Sequence, residues 1–384
     1  MPELVALDLP GGMGFVDALR AVWDTGDAAA PLDPRLPAPA IRALLAALRP
    51  TRVVGSDGQI TRVAGGRQVG EGDALVMATS GSTGNPRGVV LTHDALAASA
   101  SATSARLGVD PAHHTWLACL PFAHIGGLSV VTRSLLTDTP LMAIAGFDAE
   151  LVEQIGRSGE ATHTSLVATA LARIDPAVFT AVLLGGSAAP DGLPANVITT
   201  YGMTETGSGI VYDGVPLDGV EVALREETPR SGVGGEILVR GPMLLRCYRD
   251  GSDPRIDGPD GSGGWLPTGD GGHVGSDGRL TVDGRLSDVI VTGAEMVWPI
   301  AVEQVLADHR GIAEVAVWKR ADPEWGDRVV AWIVPTDLDA VPSLGELRDL
   351  VAQRLAPWAA PKEVVVSAAL PRTPSGKVRR ADLT

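Results

Sequence analysis

The chain has 384 residues, 45% of them hydrophobic and 20% charged, and a formal net charge of −15. That size and composition fit a globular protein of two or three domains with a sizeable core, and the acidic balance argues against nucleic acid or an anionic membrane as partner. No apolar run reaches the ~20 residues of a membrane span, and the start, "MPELVALD", carries acid where a signal peptide carries base, so a cytoplasmic protein without membrane insertion is expected.

In chain order, "DALVMA" (Asp73–Ala78) reads as a strand and the segment from about His93 as a helix, with "TSGSTGNPRG" (Thr79–Gly88) as a strand-to-helix connection between them. From Ala74 to Gly202 short apolar runs such as "TWLACL", "TAVLLGG" and "NVITTYG" alternate with helical stretches such as "DAELVEQIGRSG", a pattern that predicts a parallel α/β core. Between Val220 and about Gly284 the texture turns to short alternating strands with Gly/Asp/Pro turns, which predicts an antiparallel β subdomain. After Arg285, "PIAVEQVLADH" opens on Pro299 and "SLGELRDLVAQRL" has Ser343 as its N-cap, and these two helices alternate with strands in a small α+β unit. The expected fold is therefore α/β, with a large N-terminal domain (1–285) and a small mobile C-terminal domain (286–384). Cys119 and Cys247 form neither a disulfide framework nor a zinc pattern and read as buried small residues.

The stretch Thr79–Gly88 has glycines that let backbone N–H groups approach a ligand, hydroxyls that rotate to suit it, and the cation Arg87. These groups suit phosphate oxygens, although an exposed turn has the same composition. It is not a Walker A loop, because no Lys-Ser/Thr pair follows Gly84. Lysine occurs only at 319, 362 and 377, so 28 of the 31 basic residues are arginine. A lysine in a suggestive position therefore carries weight, and an arginine in a lysine's place is less surprising.

Seven motifs follow in order: "TSGSTGNPRG", "LPFAHIGG" (Leu120–Gly127), "GGSAAP" (Gly185–Pro190), "YGMTETG" (Tyr201–Gly207), "TGD" (Thr268–Asp270), "DGRLSDVIVTGAEM" (Asp283–Met296) and "PRTPSGKVRR" (Pro371–Arg380). The set resembles the adenylate-forming superfamily of acyl-CoA ligases, peptide-synthetase adenylation domains and luciferase. The resemblance implies an enzyme that joins a carboxylate to AMP with ATP and Mg²⁺ and passes the acyl group to a thiol, with coenzyme A as co-substrate. By resemblance, Thr79, Ser80, Gly81, Ser82, Thr83 and Gly84 hold the terminal phosphates, with Arg87 where the family has lysine. Tyr201 and Gly202 pack on adenine opposite Gly185, Gly186 and Ser187. Thr204 touches the α-phosphate and Glu205 ligates Mg²⁺. Asp270 and Arg285 reach the ribose; a turn aspartate and an exposed linker arginine are the plainer alternatives. Lys377 bridges the carboxylate and phosphate as the catalytic cation. Ser287 stands at the pivot on which the family's small domain swings, and Gly293 and Ala294 lie on the thiol tunnel, where a second glycine is usual in place of Ala294.

His124 resembles the gate residue of acyl- and aryl-CoA ligases, with a buried strand-end histidine as the alternative. No aspartate stands near it to pair an amine, which favours an amine-free acid. "LPFAHIGGLSVVTRSLL", "THTSLVATALARI" and "GRLSDVIVTGAEMVWP" resemble the o-succinylbenzoate–CoA ligases of menaquinone biosynthesis, serine at the pivot included. Only 78 residues precede Thr79, so shortening relative to the superfamily is expected at the extreme N-terminus. The substrate's second carboxylate then needs a cation or several donors. Arg133 and Ser129 are the candidates, and a surface helix position is the alternative for Arg133. Rival readings are another aryl- or acyl-CoA ligase, a stand-alone adenylation enzyme serving a carrier protein, and a non-catalytic nucleotide-binding homologue. Small molecules are the expected partners, and homodimerisation is left open.

Overall fold

The computed structural model describes residues 1–80, 86–190, 192–225, 234–293, 295–372 and 378–383. By its contacts the chain divides into two units, Met1–Val222 with Val239–Leu266, and Ala223–Leu238 with Pro267–Thr384. Arg285 and Leu286 both fall in the second unit.

The first unit holds two seven-stranded sheets. In one, Asp73–Ser80, Ala28–Pro31, Leu4–Asp8 and Arg52–Gly55 run parallel as neighbours, and Pro86–Thr92 pairs antiparallel to Asp73–Ser80. Its core is built of Leu4, Ala6, Ala28, Ala30, Val76 and Val90. The alanine run of the N-terminal strand has no alternation to mark it in sequence, because it is buried throughout. The other sheet carries Trp116–Ala118, His163–Leu166, Ala181–Leu184 and Val197–Met203 in parallel, then turns antiparallel through Ser208–Tyr212.

One local expectation is corrected. The phosphate-loop stretch does not connect a strand to a helix: Pro86–Thr92 is itself a strand, with Val76 opposite Val90 and Met77 opposite Val89. The two strands are the arms of a hairpin, and the helix His93–Leu107 starts only after the second arm. The apolar "GVVL" needs a buried partner on each face, and the neighbouring strand and core supply it. That helix is capped at Thr92, whose hydroxyl accepts the Ala95 N–H at 3.1 Å, and ends at Gly108 in the left-handed region.

In the second unit, Leu266–Val274 runs antiparallel to Leu280–Arg285. A five-stranded sheet around Ile312–Asp322 and Gly326–Pro335 packs against the helices Pro299–Ala307 and Leu344–Ala352 over Val302, Leu306, Val317, Val329, Ile333 and Leu347. Ser343 forms a capping box with Glu346, as the sequence predicts. Among the described residues no helix is long and apolar enough to cross a membrane. Cys119 is buried and Cys247 half-buried, and both are free.

Candidate active site

The hairpin places Thr79 directly across from Arg87 at the ends of its two arms. Gly81, Ser82, Thr83 and Gly84 lie outside the described residues, as do Ala294 and Lys377, and Ser80 is described only as the last residue of its strand. The Arg87 guanidinium lies 3.7 Å above the centroid of the Tyr248 ring. Its Nη2 donates to Ser252 Oγ at 3.1 Å and stands 3.7 Å from Asp250. The Tyr248 hydroxyl in turn donates to Glu205 Oε1 at 3.1 Å. Burial, with the Glu205 charge beside it, pushes the Tyr248 phenol up to about 12, so it remains a donor.

Glu205 sits in the short 3-10 turn Thr204–Thr206, half-buried. Thr206 holds that turn, accepting the Met203 N–H at 2.9 Å and donating to the Ser208 carbonyl at 2.7 Å. Gly202, just before it, lies where a Cβ would fall 2.2 Å from the Ser208 carbonyl oxygen, so only glycine lets the two strands approach there. Among the described residues no cluster of three or more His, Cys, Asp or Glu could hold a metal alone. A single carboxylate nonetheless fits Mg²⁺, which is habitually bound by one or two carboxylates together with substrate phosphates.

Gly185, Gly186 and Ser187 follow the carboxyl end of Ala181–Leu184, and Tyr201 lies near the carboxyl end of the adjacent parallel strand. Carboxyl ends of neighbouring parallel strands are where open α/β sheets bind ligands. His124 is exposed at the N-cap position of the helix Ile125–Leu136, with no side-chain cap bond, and this replaces the alternative of a buried strand-end histidine.

Arg133 is not on a surface. It lies on the same helix, 2% exposed, with its guanidinium 4.6 Å from the centroid of the Trp116 ring. Nη2 donates to Ser208 Oγ at 3.2 Å, while Nε and Nη1 have no partner among the described residues, and neither does the Trp116 indole N–H. Burial lowers the Arg133 pKa. Ser129, Thr132, Ser99 and Gly207 pack beside it around a gap too narrow to admit a water molecule. Donors left short in a protein interior call for an acceptor.

In the second unit, Asp270 is 6% exposed within the strand Leu266–Val274, not in a surface turn. Arg285, directly across from it, holds Asp270 Oδ1 at 2.9 Å and donates to the Thr268 carbonyl at 3.0 Å. Ser287 is exposed in the turn Leu286–Asp288 and donates to Asp288 at 3.0 Å. Gly293 has φ +59° and takes the Trp325 indole where a Cβ would stand, 2.6 Å from its ring. Trp325 is 43% exposed and carries the Lys362 ammonium 4.0 Å from its ring centroid.

Sequence reading missed Tyr248, Ser208, Trp325 and Lys362. Two had a faint signal in scarcity: Lys362 is one of three lysines and Tyr248 one of three tyrosines.

Residues 66–249 match the family described as AMP-binding enzyme, and residues 301–377 match the AMP-binding enzyme C-terminal domain. The chain is 43% identical over 340 residues to a probable 2-succinylbenzoate–CoA ligase of Mycobacterium tuberculosis, covering 83% of this chain and 85% of that protein. It is 34% identical to the 2-succinylbenzoate–CoA ligase of Enterococcus faecalis, covering 81% and 69%. Among solved structures, the o-succinylbenzoate CoA synthetase of Bacillus subtilis in complex with its acyl-adenylate intermediate superposes with a TM-score of 0.85 at 28% identity, over 99% of this chain and 88% of that one. The same Bacillus enzyme with ATP and magnesium ion gives 0.83.

Proposed function

Because the chain belongs to the AMP-binding enzyme family, we propose that it adenylates o-succinylbenzoate with ATP and transfers the acyl group to coenzyme A, in menaquinone biosynthesis. It is an ATP-dependent acid–thiol ligase. In the first half-reaction a carboxylate oxygen attacks the α-phosphorus and the bond to pyrophosphate breaks. In the second, the coenzyme A thiol attacks the acyl carbon, AMP departs with its oxygen, and the thiol proton is released. The barrier to the first step is the approach of two anions, so positioning and fixed charge do most of the catalytic work.

The observation that carries this reading is the convergence of Arg87 and Glu205 on one side chain, Tyr248, at the mouth of the hairpin. Arg87 supplies positive charge to the terminal phosphates, and Glu205 offers a carboxylate for Mg²⁺. Magnesium, when bound, neutralises charge on the triphosphate. Tyr201 and the Gly185–Ser187 turn offer the adenine its two walls. Asp270, held by Arg285, is assigned to the ribose hydroxyls as their acceptor. Lys377 is the cation assigned to the reacting carboxylate and α-phosphate. Gly293, the Trp325 ring and Lys362 together present a flat apolar face and a cation, which suit the phosphorylated nucleotide of coenzyme A. Arg133 and Trp116 provide three buried nitrogens whose N–H groups lack acceptors among the described residues, and these support an acid with a second carboxylate.

Incubation with o-succinylbenzoate, ATP, Mg²⁺ and coenzyme A tests the reading by mass spectrometry. The thioester should form, and should not form when benzoate or a medium-chain acid replaces the dicarboxylate. Thioester from those acids but not from o-succinylbenzoate would refute the substrate. Lys377→Ala should abolish acyl-adenylate formation while sparing thioester formation from supplied acyl-adenylate; equal loss of both would remove Lys377 from its assigned role.

A further inference from the structure

The strip 245–252 is fastened more firmly than a connecting segment needs. The Leu245 N–H donates to the Glu205 carbonyl at 2.7 Å, Arg246 N–H to Val90 at 2.9 Å and Arg249 N–H to Gly88 at 2.6 Å. Cys247 and Tyr248 add a short strand to the second arm of the hairpin, opposite Val90 and Val89. The Arg246 side chain grips the buried Asp73 through two bonds, at 2.7 and 2.8 Å. The Arg249 side chain donates to the carbonyls of Leu48, Gln68, Arg49 and Arg67. The strip is thus tied at once to both hairpin arms and to the turn bearing Glu205, and the side chain at its centre is Tyr248.

Arg87 and Glu205 carry opposite charges and meet the same tyrosine. Here tyrosine stands between them, its ring taking one face of Arg87 and its hydroxyl one oxygen of Glu205. That leaves the second carboxylate oxygen for ligand, while of the guanidinium edge Nη2 is already bonded to Ser252 Oγ at 3.1 Å. A planar guanidinium lies flat on a ring, whereas a compact ammonium does not share that geometry. The ring therefore gives a physical reason for arginine at position 87.

Resting on the nucleotide site described above, we propose that Tyr248 is a positioning residue that sets Glu205 and Arg87 on one rigid side chain, so that magnesium and triphosphate binding are coupled through it.

Calorimetric titration of ATP and of inorganic pyrophosphate across a magnesium series tests this with the parent, Tyr248→Phe, Tyr248→Leu, Arg87→Lys and the Arg87→Lys/Tyr248→Leu double variant. The thermal midpoint of each nucleotide-free protein is read alongside. Tyr248→Phe loses only the hydroxyl, so it should raise the half-saturating magnesium concentration about three- to tenfold and leave affinity at saturating magnesium within about twofold. Tyr248→Leu should in addition weaken ATP several-fold at every magnesium level. Arg87→Lys should weaken ATP in the parent but add little to Tyr248→Leu, since both remove the same stack. An unshifted magnesium midpoint in Tyr248→Phe, strict additivity in the double variant, or losses that merely track a fallen thermal midpoint would each overturn the proposal and leave the nucleotide site standing. A parent that binds no ATP at any magnesium concentration would overturn the site itself and this inference with it.

Discussion

The first unit buries two arginines in opposite ways. Arg249, 7% exposed, spends its guanidinium on four backbone carbonyls. Arg133, 2% exposed, has one serine hydroxyl, an aromatic face and two nitrogens without partners among the described residues. Among the described residues, neither is matched to a carboxylate. Burial, with the neighbouring Arg67 charge, lowers Arg249 to about 10, and burial lowers Arg133 as well. A buried cation whose donors are all taken is architecture. One whose donors are left short is kept at a cost to stability, and ligand binding is the role proposed for it.

The sharpest way to break this distinction is to remove each cation. Arg249→Leu strands the carbonyls of Leu48, Gln68 and Arg67, while that of Arg49 keeps the Arg67 N–H; at about 1–3 kcal/mol apiece, a loss above about 3 kcal/mol, or failure to accumulate folded protein, is expected in urea unfolding. Arg249→Lys should recover part of the loss.

Arg133→Met should do the reverse. It replaces an underpaired buried charge with a side chain of similar length, a change that is typically neutral or stabilising by about 1–4 kcal/mol. Thioester formation with the dicarboxylate should fall by about 2–4 kcal/mol in kcat/KM, as when one partner of a buried charge pair is deleted. The analogue lacking the second carboxylate should hardly respond. An equal fall for both acids would return Arg133 to architecture.

His163 sharpens the comparison through pH. It is 1% exposed, hydrogen-bonded to Thr162 at 2.8 Å and packed near His114 and Trp116. Burial first, then the charges of His114 and Arg133, lower it from 6.5 to about 4. Because the folded value lies below the unfolded one, the unfolded chain binds the proton first as pH falls. Stability is therefore complete above about pH 6.5 and declines towards pH 4, by about 3 kcal/mol. His163→Phe should flatten that limb, and Arg133→Met should raise the histidine's titration midpoint in NMR. No movement in Arg133→Met would mean that the arginine's field does not reach the imidazole.

Local pattern made much of this molecule legible. The Asp73 strand, the Ser343 cap and the strands ending at Leu184 and Met203 could be read from alternation, capping chemistry and apolar runs. The Pro86–Thr92 strand was misread because "GVVL" leads straight into a capped helix, and only its partner across the hairpin shows where one ends and the other begins. Arg133 looked solvent-facing because Trp116 and Ser208, which enclose it, lie on strands far away in the chain. Tyr248 was invisible for the same reason: its meaning depends on residues 87 and 205 arriving at one ring. Motifs name the groups that touch a ligand. What positions those groups is written in tertiary pairing, which carries no local signature.

The smallest predicted effect is also the most discriminating. Ser208 is buried and supplies the hydrogen-bond acceptor of the Arg133 guanidinium at 3.2 Å. If Arg133 were structural, Ser208→Ala would strip a buried cation of its polar anchor and destabilise the protein by about 1–3 kcal/mol, the cost of an unsatisfied buried group. If Arg133 waits for a carboxylate, the free protein carries the same cost, and a second penalty falls on binding. The penalty should then appear in KM for the dicarboxylate, because the serine fixes the angle at which the guanidinium meets its ligand, while kcat for bound acid stays close to the parent's. Thermal unfolding with and without the acyl-adenylate separates the two cases: the stabilisation conferred by ligand should shrink in the variant if the serine orients a binding arginine, and stay the same if it only props up the core.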